Sequence, residues 1–237
     1  GWCTAGGDER VGMCDGRGST AASGECAVEA YVRAGGGVWG ICAVACGGAE
    51  RGSSGSVLSA WAQESWAAGS GADGARVYGL DGSPEMALNA RSYTDDPQVS
   101  YLVGDFDAFP FADDAVDHVW SMEAFYYAAD PEHTLAETAR VLRPGGTFYC
   151  AVNYYEENVH SHAWQDRIDV EMTRWSGAEY REAFRNAGLA VAEQDSISDR
   201  EVDIPPESAF PIEGWETREA MVERYRTYGT LLTVGVA

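Results

Sequence analysis

The sequence predicts an α/β fold, a mainly parallel twisted sheet with helices on both faces, and three observations predict it. From Arg76 onward short apolar runs alternate with segments of helical period. Acidic residues close two successive runs, at Asp81 and Asp105, and capping and stop signals punctuate the helices. Strands alternating with helices bury both faces of a parallel sheet, and 237 residues suffice for one such domain with a full core.

RVYGLD (Arg76 to Asp81) is a short strand ending in an acid. GSPEMALNAR then opens a helix, with Ser83 as cap and Pro84 in the first turn, where its missing N–H is no loss. VSYLVGD (Val99 to Asp105) is a second strand, and AVDHVWSM (Ala115 to Met122) is a third, after a loop containing Phe109, Pro110 and Asp113. Asp130 and Pro131 start a helix with Leu135, Ala139 and Leu142 on one face; Arg140 and Arg143 suit its C-terminus, and RPGG stops it. GTFYCAV (Gly146 to Val152) is a fourth strand.

Ser176 and Glu179 form a capping box for a helix that turns Tyr180, Ala183, Phe184 and Ala187 inward and ends at Gly188. LAVAEQDSI is a fifth strand. A loop with Pro205, Pro206 and Pro211 precedes a helix from about Thr217, with Met221, Val222 and Tyr225 on its apolar side. LLTVGVA closes the chain as a final strand.

Composition changes near residue 65. Residues 1–65 hold 15 of the 28 Gly, five of the six Cys, one Leu, one Ile and no Phe or Pro, while 31 of the 38 acidic residues follow. That first part has no sustained apolar period, so it supplies little core. Cys3, Cys14, Cys26, Cys42 and Cys46 form no CxxC pair and have no His among them, which argues against zinc. A disulfide framework would need an oxidising compartment that nothing else implies. The longest apolar stretch, Gly37 to Cys46, is about half of the ~20 residues a membrane span needs, and its glycines and depth in the chain argue against a signal sequence despite Arg33. A soluble, cytoplasmic protein is expected.

Acidic residues outnumber basic ones 38 to 16, all 16 are Arg, and the formal net charge is −22. Such a surface repels itself in dilute buffer and is screened to a few ångströms by molar salt, which suggests a halophilic, acidic protein. With no basic patch to displace counterions, neither nucleic acid nor an anionic membrane is an expected partner. The sequence gives no signal of oligomeric state.

Ligands of such sheets bind beyond the carboxyl ends of the strands, at the switch in strand order. Asp81, followed by the small residues Gly82 and Ser83, can accept both hydroxyls of a ribose; Asp105, beside Phe106, can accept from an adenine amine while the ring covers the base. Each acid alone reads equally well as a strand-end turn. Together with LRPGG ahead of another strand, the pattern is more specific.

From about Arg76 to Ala237, two thirds of its length, the chain resembles the class I S-adenosylmethionine-dependent methyltransferases, in particular the small-molecule group called type 11. The matching text is VYGLDGSPEM, GDFDAFPFADDAVDHVWS, AETARVLRPGGTFYCAV and WSGAEYREAFRNAGL. The resemblance implies a Rossmann-like sheet whose last strand is antiparallel and inserted beside the fourth. It implies S-adenosyl-L-methionine as cofactor and a small-molecule methyl acceptor as partner. It further implies that Asp81, with Gly82 and Ser83, binds the ribose, that Asp105 and Phe106 hold the adenine, and that Ser121 follows the strand facing the methionine moiety.

The family's first strand and glycine loop, D-x-G-x-G-x-G, are missing from their place ahead of Arg76, where the text is SVLSAWAQESWAAGSGADGA. GC-rich codons for Ser59 to Ser65, read from each third base, can encode Gly-Leu-Gly-Ala-Gly-Ile. Residues 1–65 are therefore read as an aberrant segment, poorly ordered or out of frame, and residues 66–237 as a methyltransferase-like domain.

Methyl transfer from a sulfonium is an in-line displacement with a neutral leaving group, so a base is needed only where the acceptor must lose a proton. Candidates are Glu123 and Tyr126 after the third strand, and Asn153, Tyr154, His160 and His162 after the fourth. His160 and His162 near Glu156 and Glu157 lack a third metal ligand, and no metal is expected. Tyr126, Tyr127, Tyr154 and Tyr155 fit an acceptor pocket or strand-end packing equally well. Two rivals remain: a nicotinamide-dependent dehydrogenase, which would need an intact G-x-G-x-x-G, and an inactive remnant that only binds a partner.

Overall fold

The structure is a computed structural model that describes residues 2–4, 11–13, 41–44, 55–58, 76–93, 97, 99–167 and 170–237. Expectations for the N-terminal cysteines, for the apolar stretch Gly37 to Cys46 as a whole and for the glycine loop after Ser59 rest on residues or side chains outside these. Strands β1 (Trp2–Thr4) and β2 (Val11–Met13) form a separate antiparallel pair. Among the described residues the main sheet has eight strands: β3 (Ile41–Val44), β4 (Gly55–Leu58), β5 (Arg76–Asp81), β6 (Val99–Val103), β7 (Val116–Met122), β8 (Leu142–Val152), β9 (Ala190–Ile197) and β10 (Thr230–Val236).

β4 lies parallel between β5 and β7, β6 flanks β5, and β8 flanks β7, all parallel. β3 pairs antiparallel with β5 and β7. β10 runs antiparallel between β8 and β9, so the antiparallel last strand inserted beside the fourth predicted strand is present. The sheet is thus α/β and mainly parallel through its centre, as expected.

The sequence reading places no strand before Arg76, so β1, β2 and β3 differ from it, as do β4 and Leu142. β4, four residues between Ser54 and Ser59, carries no periodic signal, yet it takes a central place in the sheet. Leu142 is not helical; it leaves α2 in extended geometry (φ −70°, ψ 134°) and begins β8. RPGG therefore lies within the strand rather than ahead of it, with Gly145 at φ +81° and a register shift between Val116 and His118 of β7 absorbing the irregularity.

Helices α1 (Pro84–Tyr93), α2 (Pro131–Val141), α3 (Gly177–Asn186) and α4 (Arg218–Val222) follow their predicted starts. Asp130 caps α2 by accepting from His133 N–H at 3.0 Å. Ser176 and Glu179 make the capping box of α3 in full, which satisfies two otherwise orphaned amide donors. α4 widens into a π turn over Glu223–Tyr228.

Leu80, Val119, Phe125, Phe148, Tyr180, Phe184 and Leu189 form the centre of the core. Phe148 of β8 stacks on Phe184 of α3 with ring centroids 5.2 Å apart, and Gly235 of β10 admits that ring, since a Cβ there would lie 2.7 Å from Phe184 Cδ1. At the opposite side, β6 pairs with β5 alone among the described strands, and Val103 (54 %) and Leu88 of α1 (68 %) stay exposed there. Among the described residues no helix is long and apolar enough to cross a membrane.

Candidate functional site

The carboxyl ends of β5 and β6 lie side by side. Asp81 pairs with Val103 in the parallel register, and Gly104 N–H donates to the Asp81 carbonyl at 3.1 Å. The Asp81 carboxylate is buried and its Oδ1 accepts from Ser83 N–H at 2.8 Å. Burial pushes its pKa above the ordinary 3.8, and the Ser83 bond opposes that shift. Gly82 keeps the approach open: the nearest atom to a Cβ there would be Gly104 O, at 3.8 Å.

Asp105 stands exposed two residues beyond Val103, and its Oδ1 accepts from Asp107 N–H at 3.1 Å. Phe106 is half-buried against the core. The two acids therefore end neighbouring strands at the same edge of the sheet. Asp81 offers a desolvated carboxylate suited to vicinal hydroxyls, and Asp105 an accessible one suited to an amine.

On the other side of β4, Ser121 near the end of β7 is fully buried, and its Oγ has no hydrogen-bond partner among the described residues. An orphaned hydroxyl at this point fits the polar methionine end of a nucleoside cofactor better than it fits a closed core. Glu123 follows in left-handed geometry (φ +55°), buried, with its N–H on Ala151 O at 2.9 Å and its Oε2 accepting from the Tyr126 hydroxyl at 3.1 Å. A non-glycine residue held at positive φ costs free energy that the surrounding structure must sustain. Burial pushes the Tyr127 hydroxyl, the Cys150 thiol and the Tyr180 hydroxyl up, and the Glu123 charge adds to the shift in all three. Glu123 thus lies near the Tyr127 and Tyr180 hydroxyls and the Cys150 thiol.

The structure brings Glu123 and Tyr126 together but gives His160 a different partner, Glu223 Oε2 at 3.0 Å, between the rings of Trp215 and Tyr228. His162 bonds the Glu156 carbonyl instead, so the H-x-H pair diverges. Asn153 Oδ1 accepts from the Thr230 hydroxyl at 2.9 Å. Tyr126, Tyr154 and Tyr155 are core residues, and the Tyr155 hydroxyl donates to Tyr228 O at 2.7 Å; of the four candidate tyrosines only Tyr127 is partly exposed. Sequence reasoning missed Thr134, which is fully buried and donates its hydroxyl to Asp107 Oδ1 at 2.6 Å across 27 positions, a contact with no local signature.

A family model described as a methyltransferase domain matches residues 53–150, beginning just before β4. A Haloferax volcanii methyltransferase, solved in complex with the Trm112 methyltransferase activator, is 75 % identical over 68 % of this chain and 72 % of that one, with a TM-score of 0.68. An S-adenosylmethionine-dependent methyltransferase from Mesorhizobium loti shares the fold, with 19 % identity, 88 % and 96 % coverage and a TM-score of 0.57. The sterol 24-C-methyltransferase of Aspergillus fumigatus is 28 % identical over 144 residues, 55 % of this chain and 38 % of its own length. The chain spans less than half the length of the curated relatives it matches. On the extent of its identity with the Haloferax volcanii methyltransferase, the chain belongs to the class I S-adenosylmethionine-dependent methyltransferases.

Proposed function

We propose that the protein transfers the methyl group of S-adenosylmethionine to a small-molecule acceptor. The observation that carries this reading is the pair of acids at adjoining strand ends, Asp81 buried and Asp105 exposed, tied by the Gly104–Asp81 backbone bond. Asp81 accepts the ribose hydroxyls, with Gly82 and Ser83 leaving room for the sugar. Asp105 accepts from the adenine amine and Phe106 covers the ring. Ser121 Oγ meets the methionine end. The bound cofactor supplies a methyl group on a sulfonium that departs as a neutral thioether, so the protein's own task is alignment and exclusion of water. Glu123, oriented by the Tyr126 hydroxyl, takes a proton at its carboxylate when the acceptor has one to lose. The sterol methyltransferase relatives support a small apolar acceptor.

Calorimetric titration in molar KCl with S-adenosylmethionine and with NADH tests this. Binding of the first alone supports methyl transfer, binding of NADH alone supports a dehydrogenase, and binding of neither supports a remnant.

A second reading concerns partnership. The identity with the Haloferax volcanii methyltransferase supports an activator protein as partner of this chain too. The edge of β6, unpaired among the described strands and with Val103 and Leu88 exposed beside it, is a surface suited to strand addition. Co-elution with the purified activator, and its loss on Val103→Asp, tests that reading.

A further inference from the structure

The turn that follows β6 is held from outside by the first turn of α2. Asp105 Oδ1 accepts from Asp107 N–H at 3.1 Å, and Ala108 N–H donates to Asp105 O at 3.3 Å, which closes residues 105–108 into a tight turn. Asp107 is then bonded twice to α2. The Thr134 hydroxyl donates to Asp107 Oδ1 at 2.6 Å, and His133 Nε2–H donates to the Asp107 carbonyl at 3.0 Å. The first is a short, charge-assisted bond from a fully buried hydroxyl, and it places a carboxylate at the positive end of the helix. Thr134 is itself fixed, since its N–H donates to Asp130 O at 2.9 Å and its carbonyl accepts from the Thr138 hydroxyl at 2.8 Å. The helix therefore holds Thr134, Thr134 holds Asp107, and Asp107 holds one oxygen of Asp105.

This linkage has a chemical use. A carboxylate accepts from the 6-amino group of adenine but meets a second acceptor in a 6-oxo purine. It discriminates between them only if it cannot swing into water to escape the mismatch. Asp105 is exposed, so among the described residues it is its turn that prevents that escape. We propose that Asp107 and Thr134 are positioning residues that set the base specificity of the cofactor site, by holding the Asp105 carboxylate at the 6-position of the purine. The proposal rests on the reading that Asp105 and Phe106 hold the adenine.

The test compares S-adenosylhomocysteine with S-inosylhomocysteine by calorimetric titration in molar KCl. The proteins are the wild type, Thr134→Val, Thr134→Ser and Asp107→Ala, each with its thermal melting curve. The wild type should prefer the adenosyl ligand. Thr134→Val, nearly isosteric, should lower that preference by about tenfold, because one charge-assisted bond is lost from the clamp and the freed Asp105 carboxylate can turn away from the 6-oxo group. Thr134→Ser should restore the preference, and Asp107→Ala, which leaves the helix interior intact, should lower it even if Thr134→Val fails to fold. A ratio unchanged in both Thr134→Val and Asp107→Ala overturns the proposal, including the case in which both affinities or the melting temperature fall together. A wild type that binds both ligands equally overturns it while leaving the cofactor reading standing. A wild type that binds neither overturns both.

Discussion

The N–H of Gly104 donates to the carbonyl of Asp81 at 3.1 Å, so the strand end that offers a buried carboxylate is tied to the turn that offers an exposed one. That single backbone bond fixes the spacing between the two groups proposed to hold the sugar and the base. The behaviour of each group follows from its surroundings.

Burial lifts the Asp81 carboxyl above 3.8, whereas ribose hydroxyls need an ionised acceptor. Affinity for S-adenosylhomocysteine should therefore fall as pH drops through a midpoint above 3.8, and Asp81→Asn should bind more weakly with no such midpoint. The linked stability has the opposite sign. An acid whose folded pKa is raised stabilises the ligand-free fold fully below 3.8 and loses that contribution as pH rises through the folded value. Melting curves of wild type and Asp81→Asn between about pH 4 and pH 7 check this, the variant lacking the decline.

Glu123 at φ +55° separates backbone strain from side-chain chemistry. Glu123→Ala and Glu123→Gly both remove the carboxylate, but only glycine accepts the left-handed geometry without penalty. The glycine variant should be more stable by about 1 kcal/mol, read from denaturant unfolding. Equal stabilities would mean that the strain is absent.

Gly229 and Gly145 both have positive φ but differ in what surrounds them. A Cβ on Gly229 would overlap the Ile197 carbonyl oxygen at the junction of β9 and β10, whereas one on Gly145 would meet nothing within 4 Å. Gly145→Ala should cost about 1–2 kcal/mol, from backbone geometry alone. Gly229→Ala should cost about 3 kcal/mol or more and lower the melting temperature further, because β10 would have to move.

With a formal charge of −22, the protein should melt at a higher temperature in about 2 M KCl than in about 0.1 M, where repulsion is screened over a longer distance. A melting temperature that does not change with salt would show that the acidic residues are too well spaced to repel.

The described part of the domain was legible where local chemistry decides structure. Ser176 and Glu179 announce a capping box, Asp130 and Pro131 a helix start, and the alternation after Arg76 the sheet itself. β4 was not legible because four residues between two serines take their strand geometry from β5 and β7, not from their own pattern. The apolar period carries Leu142 onto the helix, whereas its backbone is extended and begins β8, where the side chain is still buried. At the site, the pairing of Glu123 with Tyr126 follows from their closeness in sequence, but the pairing of His160 with Glu223, and of Thr134 with Asp107, depends on tertiary packing.

The most direct measurement is a crystal structure with S-adenosylhomocysteine bound. The ribose hydroxyls should lie within hydrogen-bond reach of the Asp81 carboxylate, with the purine amine at Asp105 and the ring against Phe106. Density for the nucleoside elsewhere, or the two carboxylates turned to opposite sides of the sheet edge, would contradict the account.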